Sequence, residues 1–505
     1  LRDGSVINGT DLNCVPYGIW TIGGVVPQAL TYLQTPGLQT GSTDQTVYGG
    51  SISGDLSAYG WKIPTAKSGI SVAFGVEQRT EKLQLQTDIE FTTGDLAGQG
   101  GPTIGVQGQY TVKDIYAEMR VPIIEGGPMA HFLSVNGSAR HSDYSINQKT
   151  DSFGLGLEYA PIKEARVRAS YQTAARAANI HELFDAQGNV LFAASGDPCA
   201  GPTPTATLVQ CQRTGLTAAQ YGSALLTSPA GQYNSLGGGN PNLRPEKSNS
   251  YTWGLVLEPM RNVAITVDFF DIKLKDVIST LPPNIVLQSC LASGQFCNLI
   301  QRDQIGSLWA NPSGRIVATN VNIAKGRTTG IDLGANYAGK LPSGWGSYTL
   351  AYTATILNKA ESEPIPGQGS YDCKGYQGPT CGVPSPKYRH KLRGSWTTPW
   401  NWDMALTWRH VDKVEHEGLS ANPVLNTPIN PTDREMAARN YFDLAASWQA
   451  TKQLAIRGGI NNLFDKDPPF VNSTTLAATF GNGNTYPQVY DALGRRVFLN
   501  ATYKF

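Results

Sequence analysis

The sequence predicts an all-β chain, a transmembrane antiparallel β-barrel, and three observations predict it. Apolar and polar residues alternate with period 2 in segments of about ten residues, as in strands with lipid on one face and a polar lumen on the other. The connections between these segments alternate between short and long, which a water-soluble sandwich has no reason to do. The longest apolar runs are only a few residues, so no segment crosses a bilayer as a helix. A closed barrel is then the way to satisfy backbone hydrogen bonds in lipid.

Taken in order, the alternation marks about 15 strands. The first four are expected at 44–56, 70–86, 113–123 and 132–146. In the fifth, 150–161, Phe153, Leu155, Leu157 and Tyr159 share one face, while Ser152, Gly154, Gly156 and Glu158 share the other. A short turn at Pro161 leads to 165–175, where Val167, Ala169 and Tyr171 oppose Arg166, Arg168, Ser170 and Gln172. In 247–259, Tyr251, Trp253, Leu255 and Leu257 alternate with Thr252, Gly254 and Glu258. Strands at 263–279, 316–338, 345–358 and 388–399 follow. In 402–415, Trp402, Met404, Leu406 and Trp408 alternate with Asp403, Thr407 and Arg409. Strands at 440–450 and 454–464 precede the last, 495–505, where Val497, Leu499, Ala501, Tyr503 and the terminal Phe505 form one face. A terminal aromatic on such a strand is an outer-membrane assembly signal.

Short connections fall near 57–69, 124–131, 161–164, 260–262, 339–344, 400–401 and 451–453; long ones fall at 87–112, 176–246, 280–315, 359–387, 416–439 and 465–494. Short turns belong to the periplasmic end and long loops outside. The short loop 147–149 breaks the rule. Tyr159, Trp396, Trp400, Trp402, Trp408, Tyr441 and Trp448 at strand ends suit interfacial girdles. With this phase Arg166, Arg168, Asp268, Asp332, Arg393, Arg409 and Arg457 face the lumen.

The chemistry is mostly excluded. A net charge of +1 gives no field for nucleic acid. No nucleophile elbow, phosphate loop or paired-carboxylate motif stands in a suitable context, so neither an enzyme nor a cofactor is expected. His410, Glu415 and His416 lie near one strand end, but their spacing fixes no metal geometry. Of seven cysteines, six form local pairs in Gly/Pro/Asn-rich segments: Cys199 with Cys211, Cys290 with Cys297, and Cys373 with Cys381. These spacings do not match zinc sites, and loop-closing disulfides in an oxidising compartment are expected.

Several stretches resemble the barrel of TonB-dependent receptors. Residues 165–184 resemble the strand that runs into "R-x-P-x-x-x-E-L-F", with Ala178 where the family usually has Pro. Asn240-Pro241-Asn242-Leu243-Arg244-Pro245-Glu246-Lys247-Ser248 is similar to "N-P-x-L-K-P-E-x-S", and Thr329-Gly330-Ile331-Asp332-Leu333 to "x-G-[IVF]-[DE]-L". Asn461-Asn462-Leu463-Phe464-Asp465-Lys466-Asp467-Pro468-Pro469 resembles "N-L-F-D-K-x-P-P"; Tyr490-Asp491-Ala492-Leu493-Gly494-Arg495-Arg496, with Phe505, resembles the C-terminal signature. Cys14-Val15-Pro16 and 46–51 look like the middle of larger members. The physical content of these motifs is turn chemistry: Pro fixes φ and extends the residue before it, and Asn461 and Asn462 suit local backbone bonding at a strand end.

The resemblance implies uptake of a scarce, bulky nutrient (a ferric siderophore, a carbohydrate or similar) across the outer membrane of a Gram-negative bacterium. Energy comes through TonB, acting on an N-terminal plug inside the barrel. A plugless passive porin is the alternative. The lipid bilayer and lipopolysaccharide are the expected surroundings. The chain opens at Leu1 without a Met or a secretory signal, so residue 1 is expected to lie inside a longer precursor. No plug motif is recognisable, and residues 1–43 are read as an external loop whose upstream strand is missing. About 15 strands is odd, whereas single-chain barrels have even strand numbers; the resemblance implies a barrel of about 22 strands, of which residues 44–505 are then the C-terminal part. Cys14, without a local partner, is expected to pair just upstream of Leu1. Trp20, Tyr221, Tyr233, Trp309, Tyr371 and Tyr376 lie in loops, where rings stack on sugars or flat chelates.

Overall fold

The computed structural model describes residues 15, 18–94, 96, 102–194, 196–472 and 484–505; Cys14, and with it the expected upstream pairing, lies outside the described residues. Sixteen strands form one sheet, one of them a two-residue strand off the main path. The others run in chain order: β1 Gln39–Asp55, β2 Ser71–Thr87, β3 Val106–Gly127, β4 Ala130–Tyr144, β5 Gln148–Ile162, β6 Ala165–Arg176, β7 Glu246–Leu257 and β8 Val263–Thr280. Then follow β9 Asn320–Lys340, β10 Ser347–Glu363, β11 Tyr388–Thr397, β12 Trp402–Val411, β13 Arg439–Gln449, β14 Leu454–Asn461 and β15 Arg496–Tyr503. Each is antiparallel to the next.

Residues directly opposite across antiparallel strands share a face, so the register traces each face from strand to strand. Leu157, Ala169, Trp253, Phe269, Ile331 and Ile356 form one unbroken row. One position along, Glu158, Arg168, Gly254, Asp268, Asp332, Thr355 and Arg389 form the polar counterpart. The apolar row's face stays uncovered: Leu155 is 58% exposed, Leu406 48% and Val497 74%. A soluble protein rarely leaves an apolar surface of that extent open; lipid is the solvent it suits. The polar face is hereafter the inward one.

At one end the strands are joined by tight turns, several through a left-handed residue: Met129, Asn262, Ser343 and Asn401 have φ of 61°, 67°, 56° and 63°. Asn tolerates that region better than most residues. Outward aromatics gather at the same end. Trp402 stacks on Trp448 with centroids 5.5 Å apart, and Trp345 meets Trp400 edge-on at 5.5 Å. A second row lies toward the other margin: Tyr171 lies 5.8 Å from Phe153 and 4.7 Å from Tyr251. Tyr441 is a correction to the expected girdle. It pairs with Arg409, so it points inward, where it is 1% exposed with the guanidinium 5.0 Å over its ring.

Several boundaries also differ from expectation: β1 begins at Gln39 instead of 44, β3 spans Val106–Gly127 instead of 113–123, and β10 ends at Glu363 instead of 358. β12 stops at Val411, because Val414–His416 turns away to pair with Tyr376–Gln377 and Glu435–Met436. The expected strand 316–338 divides, since Arg315–Val317 joins a loop sheet and β9 starts at Asn320. Among the described residues β1 pairs only with β2 and β15 only with β14, so the sheet is open.

Candidate functional site

The long connections all leave one end of the sheet, and two of them build a compact cap there. Residues 177–245 supply Gly188–Ala193 and Gln232–Gly237, and 281–319 supply Arg315–Val317 and Ile300–Gln301; the four strands form one sheet. Helix Leu208–Arg213 begins with a capping box from Thr207 and Gln210, and helix Pro283–Ser293 with proline at its first turn. Tyr233, Leu226, Leu308, Ile316 and Val286 fill the core between them. Disulfides Cys199–Cys211 and Cys290–Cys297 each staple one of the two loops, and Cys373–Cys381 a third.

One ion pair locks the cap. Arg302 and Asp197, 2% and 1% exposed, approach to 2.6 Å. Arg302 also donates to Thr214 Oγ1 at 2.8 Å and to the Gly306 carbonyl at 2.7 Å, while Asp197 accepts from the Cys199 N–H at 3.0 Å. Each buried charge is thereby paired and hydrogen-bonded, which is the condition for its burial. Nothing in the sequence pattern singles out these two residues, which stand 105 positions apart.

Beneath the cap, segments distant in sequence are clasped together. Arg176 donates to Glu246 at 2.6 and 2.7 Å and to Glu182 at 3.0 Å through both terminal nitrogens. Glu182 in turn completes the capping box of Asn179. Asn240 Nδ2 donates to the Asn320 carbonyl at 2.8 Å, and Asn322 accepts from the Arg244 N–H at 2.7 Å. Across the sheet, Arg409 holds Asp443 at 2.7 Å and Asp491 at 2.6 Å. Asp443 also accepts from the Asn462 N–H at 2.9 Å, and Asn462 closes its own loop through Lys466 in both directions at 2.8 and 3.0 Å.

The inward wall carries a feature that sequence reading caught only in part. On β11, Arg389, Lys391 and Arg393 occupy alternate inward positions, in register with Thr355, Thr353 and Ala351. Arg389 and Lys391 are exposed, and none of the three has a carboxylate ion-pair partner among the described residues. A recess of about 510 Å³ on this wall is lined by Thr266, Asp332, Thr353, Thr355, Arg389 and Lys391. The signal was legible as the run Tyr388-Arg389-His390-Lys391-Leu392-Arg393. Of the other inward residues, Asp268 is held by Arg168 through two bonds at 2.7 and 2.6 Å, and Asp332 accepts from Thr355 at 2.7 Å.

The loop aromatics do not converge. Tyr233 and Tyr371 are 2% and 7% exposed. Tyr221 donates to the Ala206 carbonyl at 2.8 Å and Trp309 to the Leu225 carbonyl at 3.1 Å, both packed on the cap core. Tyr376 pairs with Glu415, and Trp20 stands 92% exposed. His410, Glu415 and His416 also separate. His410 stacks outward on His390 at 5.1 Å. His416 is buried in a loop, where desolvation pushes its imidazole below the usual range and Nδ1 accepts from the Gly418 N–H at 3.0 Å. Among the described residues no three metal-ligating side chains gather, and no helix is long and apolar enough to cross a membrane.

Comparison with known structures agrees with this architecture. The ferric enterobactin receptor PfeA of Pseudomonas aeruginosa superposes with a TM-score of 0.57 at 14% identity, over 92% of this chain and 55% of that one. The siderophore receptor PirA of Acinetobacter baumannii gives 0.54 at 13% identity over 92% and 55%. The hemophore receptor HasR of Serratia marcescens gives 0.50 at 15% over 93% and 60%. At these identities the likeness is one of fold, and the chain spans little more than half the length of each. No curated protein matches it. The family model described as "TonB dependent receptor-like, beta-barrel" matches residues 16–463. A chain with this uncovered outer face, these clasped motifs and that match belongs to the TonB-dependent receptor β-barrel family.

Proposed function

We propose that this chain is the C-terminal part of the barrel of an outer-membrane TonB-dependent transporter, and that its substrate is a bulky anionic chelate of the ferric siderophore class. The observation that carries the substrate reading is the unpaired stripe Arg389, Lys391 and Arg393 beneath the braced loops. Three cations on one inward row, none of them in a direct ion pair although Lys391 acts on the nearby Asp443, make a positive wall that concentrates anions. The open edges of β1 and β15 support a wider barrel completed by further strands, with a plug that couples to TonB. The external loop expected over 1–43 is read as running only up to the start of β1 at Gln39, since 39–43 already pair with β2. Lipopolysaccharide and phospholipid surround the outward face. A resemblance in fold to receptors for ferric enterobactin and other siderophores supports the same substrate class.

The test is uptake of radiolabelled ferric catecholate by cells carrying the full-length gene. Replacing Arg389, Lys391 and Arg393 together by Ala lowers uptake by about tenfold, the effect of roughly 1.4 kcal/mol in affinity, while heat-modifiable migration of the barrel persists. Deleting tonB abolishes uptake. Uptake that survives tonB deletion identifies a passive channel instead, and full uptake by the triple variant removes the anionic-substrate reading.

A further inference from the structure

Outward-facing lysines at the loop end of β7 and β8 stand in an arrangement that a lone protein disfavours. Lys247 and Lys275 are direct cross-strand partners, and like charges at that spacing destabilise a sheet. Both are exposed, and neither has an ion-pair partner among the described residues. One row nearer the membrane, Lys273 faces Arg327 across the next strand pair; there Asp271 relieves the repulsion, at 2.8 Å from Arg327 and 4.0 Å from Lys273. No such carboxylate serves Lys247 and Lys275.

Beside Lys247 the outer surface is hollow. The small residues Thr173 and Ala175 of β6 lie opposite Asn249 and Lys247 and floor a recess of about 520 Å³ that Lys149 and Arg244 also line. Its carboxylates are already engaged: Asp276 with Arg244 at 3.4 Å and Asp151 with His141 at 2.7 Å. Lys149 is paired with Asp143 at 3.1 Å, so Lys247 and Lys275 are the uncompensated charges. Directly below, Phe153, Tyr171 and Tyr251 form a continuous aromatic row, with centroid separations of 5.8 and 4.7 Å, at the edge of the apolar band.

A hollow edged by Lys247, with Lys275 across the strand pair from it, above an apolar, aromatic wall fits one kind of molecule, an amphiphile with a phosphorylated head and acyl chains. We propose that Lys247 and Lys275 bind a phosphate of an outer-leaflet phosphoglycolipid, whose sugar lies over Thr173 and Ala175 and whose acyl chains follow the outward face. The inference rests on the outer-membrane reading above and adds to it a defined lipid site with named residues.

The test uses full-length receptor in detergent, first shown to be heat-modifiable, so that a failure to form a barrel is recognised before binding is measured. Native mass spectrometry then follows the binding of bis-phosphorylated lipid A, its dephosphorylated form and phosphatidylglycerol. The expected result is saturable binding of bis-phosphorylated lipid A, weakened about tenfold both by dephosphorylation and by Lys247→Glu with Lys275→Glu. The same charge change at Lys82→Glu with Lys113→Glu, on the outward positions of β2 and β3, leaves binding unchanged. If the glutamate pair does not assemble, Lys247→Gln with Lys275→Gln gives the same reading with a smaller perturbation. Equal loss in both charge-reversed pairs, equal affinity for the dephosphorylated lipid, or preference for phosphatidylglycerol overturns the proposal.

Discussion

At the scale of single residues, the stability of the external cap turns on a pair of charges that no periodicity reveals. Asp197 and Arg302 are both almost fully buried and satisfied, so removing one partner strands the other in a dry interior. Asp197→Asn is expected to destabilise the cap by about 3–5 kcal/mol, read as faster hydrogen exchange and proteolysis of residues 196–236 and 281–319. Barrel migration in gels stays unchanged, because the ion pair touches none of the membrane strands. Unaltered exchange in the cap would show that the pair contributes nothing. These residues were illegible in the sequence for a physical reason: an ion pair across 105 positions depends on two loops folding together. Two of the loop aromatics misled for the opposite reason. Tyr233 and Tyr371 look like ligand-stacking rings in a loop, but a large loop needs its own core, and aromatic side chains supply it.

At the scale of elements, strands were legible and loops were not. Period 2 is a local property, so β5, β6, β7 and β12 appear in the sequence with their faces assigned, and the cross-strand register keeps those faces consistent. Local turn chemistry adds the ends, as at Asn262 and Asn401. The small sheet of the cap joins Gln232–Gly237 to Arg315–Val317 in parallel, a pairing between distant segments too short to alternate. The family motifs sit between these extremes. Their sequences were plain, yet what they do emerges only when Arg409 gathers Asp491 of one motif and Asp443, which accepts from the Asn462 N–H of another. That clasp fixes the chain just before β15 enters the sheet. Asp491→Asn leaves Asp443 in place and the site is partly solvated, so the cost is limited to about 1–2 kcal/mol. It is expected as a lower unfolding temperature in detergent, with unchanged disulfides. A larger loss in Asp491→Asn than in Arg409→Met would mean that Asp491 acts through other contacts.

At the scale of the whole molecule, one physical idea accounts for the distribution of side chains: the protein has two solvents. Its buried clusters are centred on the loops and the sheet's mouth, while large apolar residues on the strands stay exposed because lipid is what they meet. The inward face is polar and ion-paired, and aromatic rows mark both margins of the apolar band. A water-soluble sheet of the same sequence would have to cover the row that runs from Leu157 through Trp253 to Ile356, and nothing among the described residues does so.

That alternation between lipid and water is directly measurable on β7. Spin labels placed one at a time at 251–257 of the full-length receptor in bilayers report collisions with oxygen, which concentrates in lipid, and with a nickel chelate confined to water. The expected result is a period-2 pattern, with oxygen favoured at 253, 255 and 257 and the chelate at 252, 254 and 256. Chelate access at every position, or the reverse phase, would contradict the assignment of a lipid-facing outer wall.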